Sequence, residues 1–358
     1  MTGAAARLAV RLAALALLCG APPASANDSA SELAAGGIVL VKTDAITMQR
    51  EDLHLSPAEV RVRYEMRNDT GQPVTLRVAF PLPELPSQTP GGRITSTGGY
   101  NIVMDQPTDP NFLRFRVRVD GREVTPDIEV RAELPDGRNI ATDLMKIGGM
   151  KLVLRTGLFF PPDDAELEPA IRTALEKLRA AEALDGKGYR LPWTTRITFH
   201  WMQTFAPGVT VIEHSYRPIL GFRFVVPGAN GKITGSGDGD PRRDFCISGA
   251  TEQALRALSQ RVTAERRQKS GVQDSYLQGY TLGYILLTAR NWRGPIGSFH
   301  LTIEGGPVGL DGATNLKETE LVAFCSDLAT RQTAPLRFEA SAQDYVPNHD
   351  LRILYVTE

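Results

Sequence analysis

This sequence is short of histidine, of cysteine and of any charge imbalance. Five histidines and three cysteines occur among 358 residues, and 40 basic side chains stand against 41 acidic ones. Nothing in the near balance suggests a nucleic-acid partner, which would want a strongly basic face. His54, His200, His214, His300 and His349 are scattered, so no helical zinc-protease motif of two histidines one turn apart is present. No Gly-x-Ser-x-Gly elbow occurs, and Gly235-Ser236-Gly237 reads as a polar turn. No Gly-Lys-Ser or Gly-Lys-Thr is available to hold phosphates. Beyond the first 26 residues, no apolar run approaches the roughly 18 residues of a membrane-spanning helix.

What is present begins with a leader. Arg7 and Arg11 precede the apolar run Leu12 to Leu18, and Ala24-Ser25-Ala26 fits a small-x-small cleavage site. Residues 1–26 are therefore expected to be a signal peptide, with Asn27 as the mature N-terminus and a periplasmic destination. Leu18 before Cys19 disfavours lipidation. Subtracting Arg7 and Arg11 from 40 leaves 38 basic residues against 41 acidic ones in the mature chain. Two cysteines then remain, Cys246 and Cys325. An even count in an exported chain points to one disulfide, with two buried free thiols as the alternative. Neither has a second ligand at metal-binding spacing.

The clearest structural signal runs from Glu59 to Pro86. Val60, Val62, Tyr64 and Met66 alternate with Arg61, Arg63, Glu65 and Arg67, the period of a half-buried strand. Asn68-Asp69-Thr70-Gly71 has turn chemistry, and Val74, Leu76, Val78 and Phe80 resume the alternation. The stretch reads as a β-hairpin ended by Pro81, Pro83 and Pro86. A second hairpin is expected from Thr194 to Tyr216, turning at Pro207-Gly208. A third is expected at Asp120-Gly121, with Val124 to Ala132 returning. Ile46 to Met48 and Leu53 to Leu55 read as two separate short strands. Helices are expected from about Pro169 to Asp185 and from Thr251 to Gln268, the latter with Ala254, Leu255, Leu258 and Val262 on its apolar face. Residues 141–162 resist assignment. The fold class is mainly β, with two β-sandwich-like regions of antiparallel strands and two accessory helices. The expected divisions are an N-terminal domain over 27–160, a helical connector over 161–190, and a C-terminal β-rich domain with one helix over 191–358.

Several segments carry a family likeness. They include Asn27-Asp28-Ser29 with Glu32-Leu33-Ala34, Val78-Ala79-Phe80-Pro81-Leu82-Pro83, Trp201 to Gly208, His214-Ser215-Tyr216-Arg217-Pro218 and Asn291 to Gly297. In order and spacing they resemble the exported bacterial proteins of domain-of-unknown-function family 4424, over essentially the whole mature chain. The resemblance implies a signal peptide and a mostly β protein, and it carries over no catalytic residue. Phe80 to Pro83 after an alternating strand is also similar to inter-alpha-trypsin-type sandwich modules, a fold-level analogy that does not determine function.

Candidate chemistry is sparse. His200 and His214 would oppose each other across the second hairpin, as a metal or catalytic pair or as structural histidines. Asp238, Asp240 and Asp244 are closely spaced, but Pro241-Arg242-Arg243 breaks a calcium-loop pattern. Trp201, Trp292 and Tyr280 are either a sugar-stacking surface or core. Trp292 and Arg293, before Gly294-Pro295, are candidate partner contacts, with a buried sandwich-end tryptophan as the alternative. Arg61 and Arg63, with Arg67 and Arg77, form the most basic local face, either a solvated sheet face or the place where an anionic partner is sought first. The loops 87–111 and 231–240 are candidate contact sites. No residue is assigned as catalytic, cofactor-binding or metal-ligating, and no cofactor is expected. The favoured reading is a non-enzymatic binding or assembly module of the cell envelope, with an envelope protein or glycan as partner. The competing reading is a periplasmic hydrolase of polysaccharide or peptide.

Overall fold

Alternation dictates the architecture. In Val60–Asn68 every second residue is buried, and the arginines between them face out. Ile46–Leu55 and Gly208–Tyr216 flank this strand and bury one face in the same way. A computed structural model of the protein describes residues 29–34, 37–84, 100–101, 109–134, 136–154, 176, 193–228, 233–235, 240–271, 276–308 and 316–358. The expected leader, most of the helix expected at 169–185, and most of the loops 87–111 and 231–240 lie outside these residues.

The described chain is mainly β and almost wholly antiparallel. A five-stranded sheet joins, in spatial order, Gly37–Val41, Ser29–Ala34, Val74–Pro81, Thr194–Phe205 and Asp127–Glu133. An eight-stranded sheet runs Arg331–Ala334, Arg337–Tyr345, Ile296–Glu304, Ile46–Leu55, Val60–Asn68, Gly208–Tyr216, Arg116–Val119 and Arg122–Val124. Its single parallel pairing sets Ile296–Glu304 beside Ile46–Leu55. A third sheet orders Ile233–Gly235, Leu220–Pro227, Leu277–Tyr284, Leu351–Thr357 and Leu321–Phe324, with Tyr100–Asn101 paired to Leu220–Pro227.

Two of the expected hairpins are not hairpins. Val60–Asn68 pairs with Ile46–Leu55 and Gly208–Tyr216, whereas Val74–Pro81 pairs with Ser29–Ala34 and Thr194–Phe205. At Asn68–Gln72 the chain therefore leaves one sheet and enters the other. Thr194–Phe205 and Gly208–Tyr216 part in the same way at Ala206-Pro207. Period-2 alternation reports one buried face, and a sandwich of two sheets satisfies it as well as a hairpin does. At Asp120-Gly121 a short hairpin does form, but its return ends at Val124, and Asp127–Glu133 joins the five-stranded sheet. The sheets do not divide at a connector over 161–190. Strands from both sides of it hydrogen-bond within both large sheets.

The buried face of the eight-stranded sheet is covered by the five-stranded sheet, where the rings of Phe80 and Trp201 meet His214 at 5.4 Å. It is also covered by the third sheet, where the hydroxyls of Tyr64 and Tyr284 are 3.2 Å apart. The third sheet is buried on both faces. Tyr280, Leu282, Ile353 and Tyr355 belong to the large core, while Val225, Leu277, Leu354 and Val356 pack with Leu255, Leu258 and Val262 of the helix Gly249–Ser270. Double burial explains the nearly continuous apolar run of Leu351–Thr357. The helix occupies the expected segment and ends at Gly271 (φ 72°), whose N–H reaches the Arg267 carbonyl. Ala254, expected on its apolar face, is exposed, and Ser259 is buried instead. Residues 141–153, unassigned from sequence, form a helix interrupted at Gly149. Cys246 and Cys325 form a disulfide, with Cα atoms 5.1 Å apart.

Candidate functional site: the outer face of the eight-stranded sheet

A bulge prepares this face. Between Met48 and Arg50 the register with Val60–Asn68 shifts by one residue. Met48 points inward before the bulge, and Glu51, Leu53 and Leu55 point inward after it. Arg50, Asp52 and His54 are thereby delivered to the outer face. Gly297, alongside, leaves room for the bulge, because a Cβ there would stand 2.7 Å from the Gln49 carbonyl oxygen.

The pairing registers arrange the outward side chains in rows. One row runs Glu339, Thr302, His54, Arg61, Ser215, Arg116. The next runs Ser341, His300, Asp52, Arg63, Glu213, Arg118, Glu123. Behind it lie Gln343, Ser298, Arg50 and Glu65. The first row, the second from His300 to Arg118, and Arg50 line an open concavity of about 690 Å³. Five arginines and four carboxylates border it: Arg50, Arg61, Arg63, Arg116 and Arg118 against Asp52, Glu59, Glu213 and Glu339. That balance suits a mixed polar ligand better than a polyanion.

Most of these charges are already matched. The Arg50 Nε donates to both Asp52 oxygens, at 2.8 and 3.0 Å, and this bond holds the guanidinium above its ordinary pKa. Arg63 contacts Glu65 at 2.7 Å and Asp52 at 3.9 Å. Arg118 contacts Glu123 at 3.4 Å, and Arg61 contacts Glu59 through Nε at 3.3 Å. His54 Nε2 lies 3.1 Å from Glu304, which also meets Arg337. His300 sits between two hydroxyls, with Ser341 3.0 Å from Nδ1 and Ser298 3.3 Å from Nε2. Gln343 donates to the same Ser298 oxygen.

The sequence-derived candidates separate here. Arg61 and Arg63 both line the concavity. Arg77 belongs to the five-stranded sheet, where its guanidinium meets His200 Nδ1 at 3.0 Å. His200 and His214 do not oppose each other. His200 is half-buried on the outer side of its sheet, its pKa lowered by burial and then by Arg77. His214 lies inside the sandwich among Tyr64, Phe80, Phe115 and Trp201, and burial lowers its pKa to about 3. Trp292 is 3% exposed and packs edge-on against Phe205, so it is no surface anchor. Arg293 is exposed and 3.6 Å from Asp69. Trp201 and Tyr280 are also buried, so no aromatic platform for a sugar exists among the three. No cluster of three or more metal-ligating side chains occurs among the described residues, and no described helix is long and apolar enough to cross a membrane.

Ser215, Arg116, His54, His300 and Thr302 escaped the sequence reading as members of one face. They come from four strands far apart in the chain, and only the pairing registers bring them together.

The model of the domain of unknown function DUF4424 matches residues 26–354. The chain belongs to this family. No curated protein matches it. Among solved structures, a candidate nutrient-binding protein from Legionella pneumophila is similar, at 13% identity and a TM-score of 0.35. The match covers 92% of this chain and 72% of that one. A likeness of that strength supports no argument about fold or function.

Proposed function

We propose that this member of the DUF4424 family is an exported, non-enzymatic binding module of the bacterial cell envelope, and that its ligand lies on the outer face of the eight-stranded sheet. The observation that carries the reading is the concavity itself. It gathers polar side chains from six strands, with donors and acceptors both available and the backbone of its central strands committed to the sheet. The Cys246–Cys325 disulfide agrees with an oxidising compartment, as does the leader-like N-terminal sequence.

One arrangement favours the hydrolase alternative, namely Ser298 and Ser341 on either side of His300. Two features weigh against it. Acyl transfer needs backbone or side-chain donors aimed at the developing oxyanion. Around Ser298 and His300 the strand Ile296–Glu304 offers no spare backbone N–H, because both of its edges are paired there. Asp52, the carboxylate in register with His300, is held by Arg50 instead of orienting the imidazole.

The test is affinity capture from a cell-envelope extract with the mature chain and with an Arg63→Glu/Arg118→Glu variant. A component retained by the first and lost by the second is expected. Equal retention by both overturns the placement of the ligand. Turnover in a hydrolase screen that disappears in His300→Ala overturns the non-enzymatic reading.

A further inference from the structure

We infer that Arg61, Ser215 and Arg116 form a seat for a single oxyanionic group, a carboxylate or phosphoryl group carried by the ligand. The inference rests on the outer face being the ligand surface and adds where the ligand's negative charge sits. The three residues occupy adjacent strands in one row of the sheet. Strand spacing places the two arginine Cα atoms about 10 Å apart, with the small Ser215 between them. Two guanidinium forks can then converge above the Ser215 hydroxyl, and paired N–H groups match the geometry of an oxyanion.

The contrast with the neighbouring row identifies the seat. There every arginine alternates with a carboxylate along the register: Asp52, Arg63, Glu213, Arg118, Glu123. In the seat row the position between the arginines is a hydroxyl. Arg116 is exposed and has no carboxylate within 4.0 Å among the described residues. Arg61 meets Glu59 through Nε at 3.3 Å, too long for a strong bond. Glu213, two residues before Ser215 on the same strand, makes no ion pair with either arginine. With Glu59, it is a negative charge against which an incoming anion must compete. The concavity is far larger than one oxyanion, and Thr302, His54 and His300 continue it on the side away from Arg116. The anionic group is therefore one end of a larger polar molecule.

The experiment follows arginine Nε–Hε and backbone amide NMR signals of the mature chain during titration with inorganic phosphate, with a sugar phosphate and with glucuronate. Saturable shifts at Arg61, Arg116 and Ser215 are expected, with the sugar-borne anions binding tighter than phosphate. Arg116→Gln is expected to weaken binding at least tenfold, and Glu213→Gln to strengthen it severalfold. Shifts confined to Arg50 or Arg118, or affinity unchanged in Arg116→Gln, overturn the seat and leave the face as the ligand surface. Shifts confined to other surfaces, such as the arginines of the helix Gly249–Ser270, overturn both. Absence of saturable shifts with all three probes overturns the seat. Phosphate binding equal to that of the sugar-borne anions would assign the seat to the free ion and overturn the larger ligand.

Discussion

The side-chain amide of Asn68 donates to the backbone carbonyl of Phe205 at 2.8 Å, across 137 residues of sequence. Asn68 stands where the chain leaves the eight-stranded sheet for the five-stranded one, and Phe205 stands where it makes the reverse passage. The same amide donates to the Gln72 carbonyl at 2.7 Å, and the Asn68 oxygen accepts from the Thr70 N–H and hydroxyl. One buried side chain thus organises its own turn and fastens it to the other. Asn68→Ala is expected to cost about 1–3 kcal/mol, because the Phe205 carbonyl loses its donor in a buried setting. Urea denaturation measures the loss, and a change under about 0.5 kcal/mol would contradict the role.

Trp292 makes a second prediction because it is core and not surface. Trp292→Ala is expected to destabilise by about 3–5 kcal/mol, the usual range for removing a buried tryptophan. Partner capture by the fraction that remains folded is expected to stay unchanged. Loss of capture at unchanged stability would restore Trp292 as a contact residue.

The disulfide spans 79 residues and ties the segment after the single-turn helix Pro241–Asp244 to the end of the strand Leu321–Phe324. In the chain-entropy view, a loop of that length contributes about 4 kcal/mol by restricting the unfolded chain. The Cys246→Ser/Cys325→Ser variant is expected to unfold at correspondingly lower urea. Added reductant is expected to bring the wild type to the same midpoint and to leave the variant unmoved.

His214 makes the fold sensitive to acid. Burial lowers its folded-state pKa to about 3, below the unfolded value of 6.5. The unfolded chain therefore binds the extra proton between those limits. This contribution is fully present above pH 6.5 and is lost as pH falls toward 3, at up to about 1.4 kcal/mol per pH unit. His214→Phe keeps a ring in the aromatic cluster and removes the titration. Its stability is expected to depend less on pH between 6 and 4 than that of the wild type, by urea denaturation at several pH values. An unchanged slope would place the acid sensitivity elsewhere.

The faces of the strands were legible in the sequence, and the partners of the strands were not. Alternation told that Val62 and Tyr64 point in and that Arg61 and Arg63 point out, and the structure agrees. It could not tell that Val74–Pro81 would turn its back on Val60–Asn68, because a turn of Asn, Asp, Thr and Gly serves a hairpin and a sheet-to-sheet passage equally. The bulge beside Met48 misled in another way. It breaks the parity of one ten-residue strand, so Ile46–Leu55 read as two short ones. The candidate site was half legible. Arg61 and Arg63 stood out as a charged face, but Arg116 and His300 join it only through pairings with distant strands. The cysteine count pointed to a disulfide and left two free thiols as the alternative, and the structure pairs Cys246 with Cys325.

The parallel pairing of Ile296–Glu304 with Ile46–Leu55 has a consequence for how the protein is made. A ribosome delivers the earlier strand long before its neighbour exists. Until residue 296 has emerged, Ile46–Leu55 keeps one open edge, and closing so long a loop is slow. The eight-stranded sheet can therefore be completed only after the segment through residue 303 has been synthesised.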